Sequence, residues 1–321
     1  LFIVERIGLH PLNRSNPPQS SYAMFLGLSP TTRHGQPYRG RIAPSPTGLL
    51  HLGHAATFLQ AHERALTAGG TLVFRNDDLD RQRCRPTFLQ AALEDLRWIG
   101  IDWQEGPNRS GPHAPYSQSE RIPLYQQAFE DLRAAGWIYP CLCSRRDVAS
   151  ALAAPHATTT GDLYPGTCRP ALPTAAQIPR AGVNWRFRIP EPESLAFHDL
   201  HWGPQHTVAG TDFGDFLVWR KDDCPAYQLA TVVDDHAMQI TEVVRGADLI
   251  PSTFQQLLLY RALQLPPPAF FHTALLCDAS GNRLAKRSNS LAIETLRRAG
   301  VTPDQIRTLI EQTPTQAVDS P

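Results

Sequence analysis

The sequence predicts an α/β protein built on a parallel sheet that an insertion divides in two. Three observations predict it. Over residues 38–99 short apolar strands alternate with amphipathic helices in the order strand, helix, strand, helix, which calls for parallel pairing through crossover helices. From about residue 139 to 225 this alternation gives way to Cys-, Pro- and Trp-containing segments, read as an inserted subdomain. Regular structure resumes at Ala226 and completes the sheet.

Residues 38–43 form the first strand and run into the turn Pro44-Ser45-Pro46-Thr47-Gly48. A helix follows from about 55 to 67, and Gly69-Gly70 closes it. Residues 71–75 form a second strand that ends in an acidic cluster, and a helix over 87–99 sets Leu89, Leu93 and Leu96 on one face. Apolar and polar residues alternate over 184–189 within the insertion. Beyond it come a helix over 227–236, a strand over 240–245 and an amphipathic helix over 252–263. Residues 1–38, rich in Pro and Ser, read as a disordered N-terminal extension, and no internal repeat is visible.

Composition narrows the class. The 30 Lys and Arg balance 30 Asp and Glu, so a nucleic-acid partner would be held by a local basic patch and not by global charge. No apolar run approaches the roughly 20 residues of a membrane helix. Six cysteines without a secretory leader point to reduced thiols and a cytoplasmic protein.

The chemistry concentrates in residues 41–54, where a glycine-containing turn carries His51 and His54 directly in front of a helix. A helix N-terminus offers free N–H groups and positive dipole, and imidazoles beside it can stabilise a polyphosphate. Gly53 lets a nucleotide approach the backbone. An isolated His-x-x-His pair is common and carries no unique meaning. Far downstream, Asn282-Arg283-Leu284-Ala285-Lys286-Arg287-Ser288 follows a Ser-Gly turn and precedes a helix near Ser290. Cys141, Cys143 and Cys168 suit Zn²⁺, with a fourth ligand needed to close a tetrahedron; on residue chemistry alone His156 is a candidate. Asp234-Asp235-His236 resembles a metal-ligand trio, but is read as structural.

Taken together, the first run resembles the HIGH signature of class I aminoacyl-tRNA synthetases in its glutamyl and glutaminyl form, and residues 282–288 resemble the KMSKS loop, with Arg283 and Ala285 departing from it. The resemblance covers about residues 39–293. It implies a Rossmann-like parallel-sheet nucleotide-binding catalytic domain, formed by 39–138 and 226–275, with an inserted zinc-containing subdomain over 139–225 and a loop with a short helical tail over 276–321. It implies ATP, accompanied by Mg²⁺, as a substrate held by His51, Gly53, His54 and Lys286, with His51, His54 and Lys286 catalytic. L-glutamate would be bound by Arg41, Ala43, Ser45, Asp77, Tyr227 and Arg245. Asp77 stands where the family has glutamate, one methylene longer. The same resemblance selects Tyr164 as the fourth ligand of one structural zinc beside Cys141, Cys143 and Cys168.

Only 35 residues follow Lys286, too few for an anticodon-reading domain. The chain is in this respect similar to the glutamyl-queuosine tRNA(Asp) synthetases, which attach glutamate to queuosine in the anticodon of tRNA(Asp). The expectation is therefore a monomeric ligase acting on ATP, glutamate and queuosine-bearing tRNA(Asp). The alternatives are a core that charges tRNA(Glu) and a non-catalytic paralogue that binds tRNA or glutamate.

Overall fold

The computed structural model describes residues 36–143, 164, 166–169, 178–189, 191–278 and 292–316. Along the chain these form β1 (Arg39–Ile42), α1 (Leu52–Thr67), β2 (Thr71–Phe74), α2 (Pro86–Trp98), α3 (Ile122–Ala134) and β3 (Ile138–Cys141). Next come β4 (Asn184–Phe187), β5 (Glu193–Asp199), β6 (Gly203–Ala209), β7 (Leu217–Arg220), β8 (Cys224–Pro225) and α4 (Tyr227–Ala237). The last group is β9 (Glu242–Gly246), α5 (Ile250–Ala262), β10 (Ala269–Thr273), β11 (Leu275–Leu276), α6 (Ile293–Arg298), α7 (Pro303–Gln312) and β12 (Thr315–Gln316).

The strands of the first and last groups lie side by side in a doubly wound order. β1 pairs in parallel with β2, Arg39 opposite Thr71 and Ile42 opposite Phe74. On the far side of β2, Gln104 N–H donates to Leu72 O at 3.0 Å and Phe74 N–H to Glu105 O at 2.8 Å, adding a short parallel segment. On the other side of β1, Thr241 N–H donates to Arg39 O at 2.9 Å and leads into β9, which pairs in parallel with β10. The order is thus segment 103–105, β2, β1, β9, β10. The chain leaves β1 in one direction and later returns on its opposite side, and in such sheets the ligand crevice opens beyond the carboxyl ends at that reversal.

Neighbouring residues on each strand point to opposite faces and so feed two separate apolar layers. Val73 and Val243 join one layer with α3, α4 and α5; Phe74 and Val244 join the other with α1, α2, α6 and α7. Covered on both sides, β2 reads as a short continuous apolar run, Leu72-Val73-Phe74, whereas β1 carries Arg39 and Arg41, whose guanidiniums find buried partners.

Most elements fall where the sequence predicts them, with shifted ends. α1 begins at Leu52 instead of 55 because His51 caps it, and α5 begins at Ile250 with Pro251 in its first turn, where the missing N–H costs nothing. The 139–225 stretch does not remain one separate piece. β3, β4, β7 and β8 form an antiparallel sheet in that order, but β5 pairs with β6 and also docks on β10, extending the main sheet. The outward-facing residues of β5 and β6 are polar or exposed, so their period-two pattern does not reveal which sheet they join. β11 and β12 pair antiparallel and bring the tail back under the sheet. Among the described residues, no helix is long and apolar enough to cross a membrane. Residues 1–35 of the predicted extension lie outside the described residues.

Candidate active site at the carboxyl ends of the strands

The histidine turn is built by the start of α1. His51 is the N-cap residue; its Nδ1 accepts from Gly53 N–H at 3.2 Å, while its own N–H donates to His54 Nδ1 at 3.3 Å. The two rings pack against each other with centroids 3.7 Å apart and planes tilted by 30°. Because both Nδ1 atoms accept backbone hydrogen bonds, each neutral ring carries its proton on Nε2 and is a donor there. A side chain built on Gly53 would meet the His51 ring at 3.2 Å, so glycine keeps this cap closed.

Beside the turn opens a cleft of about 360 Å³. Its walls include Arg41, Ala43 and Ser45 from the end of β1, His51, Gly53 and His54 from the turn, Asp77 beyond β2, Tyr227 from α4 and Arg245 from β9. All nine of these residues predicted to touch glutamate or ATP therefore face one cavity at the strand reversal. Lys286 and the rest of the 282–288 loop lie outside the described residues. The segment's exit is fixed to the site, since Ala292 forms an antiparallel bridge with His51 and Ile293 N–H donates to Leu50 O at 2.8 Å.

The floor of the cleft is charged and buried. Arg75 donates from Nε to Asp77 at 2.7 Å and from Nη1 to Asp235 at 2.6 Å. Arg121 donates to Asp234 at 2.6 Å, and Tyr125 and Gln118 complete that carboxylate's shell. Arg41 donates to Val244 O at 2.8 Å and lies 3.5 Å from Asp235, which Arg75 already holds. Arg245, 4% exposed, donates among the described residues to neutral acceptors: His272 Nε2 at 3.2 Å, Tyr227 Oη at 3.3 Å and Thr253 Oγ1 at 2.8 Å. By direct contact Arg41, Arg75 and Arg121 meet the buried carboxylates Asp77, Asp234 and Asp235, whereas Arg245 reaches a fourth buried carboxylate, Asp199, only through His272. Arg245 thus sits at the cleft with no carboxylate in direct contact among the described residues, and such a buried charge gains from an anion that reaches it.

Asp77 lines the cleft, but Arg75 engages its carboxylate from two nitrogens. Burial pushes the Asp77 carboxyl up to about 6 against the pull of Arg75. Asp234 accepts from Arg121, Tyr125 and Gln118, and Asp235 accepts from Arg75, in keeping with a structural reading of that run. Sequence reasoning missed Arg75, His272 and Asp248. Arg75 and His272 look like ordinary strand residues, and Asp248 enters the cleft wall through the 3-10 turn Ala247–Leu249.

The thiols predicted to bind metal also converge. The Sγ atoms of Cys141, Cys143 and Cys168 all lie within 4.8 Å of one another. Tyr164 Oη sits 3.3 Å from Cys141 Sγ and 3.5 Å from Cys143 Sγ, and Cys168 N–H donates to it at 3.0 Å. Bonds of about 2.3 Å to a tetrahedral zinc put sulfurs about 3.8 Å apart, so this donor set fits the ion in number, spacing and chemistry. His156 lies outside the described residues.

The comparisons with known proteins agree with this geometry. Residues 38–317 match the family model described as tRNA synthetases class I (E and Q), catalytic domain. A Glutamyl-Q tRNA(Asp) synthetase of Symbiobacterium thermophilum is 48% identical over 271 residues, 83% of each chain. One of Nitratidesulfovibrio vulgaris is 46% identical over 265 residues, 82% of each chain. Glutamate--tRNA ligase 2 of Acidithiobacillus ferrooxidans is 43% identical over 82% of this chain, which spans only 55% of that ligase. The solved structure of a glutamate tRNA ligase from Elizabethkingia meningosepticum, in complex with its amino acid, matches with a TM-score of 0.70 at 30% identity, covering 79% of this chain and 53% of that one. In fold, in the order of its motifs and in sequence, the chain belongs to the class I tRNA synthetases of the glutamyl and glutaminyl type.

Proposed function

We propose that the protein is an ATP-dependent ligase that activates L-glutamate and transfers it to queuosine in tRNA(Asp). The observation that carries the amino-acid assignment is Arg245, a buried guanidinium at the cleft with no carboxylate partner among the described residues. The side-chain carboxylate of glutamate supplies the direct ionic contact that Arg245 lacks. Arg245 takes the side-chain carboxylate and Arg41 assists; Ala43 and Ser45 hold the backbone end, and Tyr227 closes over it. Asp77 is placed for the ammonium, although its present grip on Arg75 makes it the weakest member of the set.

The first step needs no general base, because the glutamate α-carboxylate is already ionised. Its oxygen attacks the α-phosphorus of ATP, a P–O bond forms, and the bond to pyrophosphate breaks. His51 and His54 donate from Nε2 to phosphate oxygens, Gly53 gives the nucleotide room, and Lys286 neutralises the departing pyrophosphate. ATP brings its Mg²⁺ as part of the substrate. In the second step a hydroxyl of queuosine attacks the mixed anhydride and AMP leaves. Cys141, Cys143, Cys168 and Tyr164 would hold one zinc ion, whose role is to brace the antiparallel sheet through β3.

The choice of tRNA(Asp) is supported by the relatives of that name, which align with this chain over more than four-fifths of both lengths. The test is glutamate-dependent ATP–pyrophosphate exchange without tRNA, followed by transfer of labelled glutamate to tRNA(Asp) with and without queuosine. Exchange, and labelling of the queuosine-bearing tRNA alone, is the expected result. Charging of tRNA(Glu) at its 3′ end would replace this reading with that of a glutamate–tRNA ligase core, and a complete lack of exchange would leave a non-catalytic binder.

A further inference from the structure

Behind Arg245 lies a chain of buried groups to which the reaction assigns no part. His272, on β10, is fully buried, and so is Asp199 at the end of β5. His272 Nδ1 lies 2.6 Å from Asp199 Oδ2, and His272 Nε2 lies 3.2 Å from Arg245 Nε. Asp199 is fixed in turn by the backbone N–H groups of His201 and Trp202, each at 3.0 Å, and of His272 at 3.2 Å. A carboxylate loaded with N–H donors keeps the ring proton on Nδ1, so Nε2 presents a lone pair to the guanidinium. Burial pushes the His272 pKa down to about 4, which keeps the ring neutral near pH 7.

We infer that His272 and Asp199 are positioning residues for amino-acid selection, holding Arg245 by a neutral acceptor so that its guanidinium stays open to direct contact with the side-chain carboxylate of the substrate. The inference rests on the reading that the cleft takes glutamate. A carboxylate in place of the imidazole would fix the same N–H but neutralise the guanidinium, and an incoming carboxylate would then lose its water for little return. A purely apolar neighbour would leave the Nε–H without a partner and the fork free to turn. The imidazole meets both needs, and Asp199 sets its tautomer from one residue further away. Because Asp199 belongs to the β5–β6 hairpin, a strand from within the insertion helps determine which amino acid the main sheet accepts.

The test is ATP–pyrophosphate exchange with the full chain, varying glutamate, glutamine and ATP separately, with thermal unfolding as a check on folding. H272L should raise KM for glutamate at least about tenfold and leave KM for ATP within about twofold. H272Q, whose Oε1 can replace Nε2 as acceptor, should return KM for glutamate to within about threefold of the unaltered protein. H272E should lower kcat/KM for glutamate by about a hundredfold or more while that for glutamine changes by less than tenfold, since only the former needs the free charge. An unchanged KM for glutamate in folded H272L, equal increases in KM for glutamate and ATP, or failure of H272Q to rescue would overturn the inference. If H272L does not fold, D199N decides: a roughly threefold or greater rise in KM for glutamate alone is expected, and no change refutes it. Lack of glutamate-dependent exchange by the unaltered protein would instead remove the glutamate reading itself, and this inference with it.

Discussion

His51 and Ala292 pair across an antiparallel bridge, so the histidine turn and the end of the 279–291 segment share one piece of backbone. The next residue strengthens this tie through Ile293 N–H to Leu50 O at 2.8 Å. Lys286 lies six residues before Ala292, within a span of roughly 20 Å even when fully extended. We expect K286A to lower kcat of exchange by about 10²- to 10³-fold, with KM for glutamate altered less than about threefold, because the ammonium meets charge that develops only as pyrophosphate leaves. Steady-state exchange kinetics measure both.

Replacing Arg245 should act on the ground state. R245L is expected to raise KM for glutamate by about a hundredfold or more and to stabilise the substrate-free protein, since it removes a buried charge that no carboxylate among the described residues contacts directly. Exchange kinetics and urea unfolding test the two halves, and they should move in opposite directions.

Asp77 holds Arg75 at 2.7 Å and 3.3 Å and cannot reach far into the cleft while doing so. D77E adds one methylene and should lower KM for glutamate by about two- to fivefold. D77A should raise it and also destabilise the fold by about 2 kcal/mol, because Arg75 loses two hydrogen bonds while keeping Asp235. Kinetics and urea unfolding of the two variants separate the effects.

His272 gives a pH signature of definite sign. Its folded pKa of about 4 lies below the ordinary 6.5, so the unfolded chain binds a proton first as pH falls. Stability from this group is present above pH 6.5 and is lost as pH drops toward 4, by an amount on the order of 3 kcal/mol. Asp77 and Asp95, both pushed up to about 6 by burial, act oppositely over pH 6 to 3.8. The difference between the unaltered protein and H272Q isolates the histidine: the unaltered protein should lose more stability over this range in urea titrations.

For the thiol cluster we expect close to one zinc per chain by elemental analysis. C143S should reduce this severalfold and lower the melting temperature, whereas C224S should not, because Cys224 lies apart and donates weakly to Leu79 O at 3.6 Å.

Much of the architecture was legible because the parallel strands are covered on both faces and their crossover helices are amphipathic. The same logic fails for β5 and β6, whose exposed outer residues leave their partner strand unspecified until β10 is in place. The short segment 103–105 was missed because it contributes only two ladder hydrogen bonds. In the site, the Pro/Gly turn and its histidines are contiguous and announce themselves. Arg41 and Arg245 are 204 positions apart and were found only by resemblance. Asp199, Thr253 and His272 come from three elements and carry no local signature, because Thr253 and His272 matter only by touching one guanidinium and Asp199 only by touching His272.

That guanidinium makes ligand occupancy and folding parts of a single equilibrium. An anion that satisfies Arg245 raises the protein's melting temperature in proportion to the logarithm of its concentration above its dissociation constant. Thermal shift across a panel of amino acids therefore ranks them for this cleft without ATP, tRNA or turnover. Dicarboxylates long enough to reach Arg245 should head the series, and their amides should fall to the baseline.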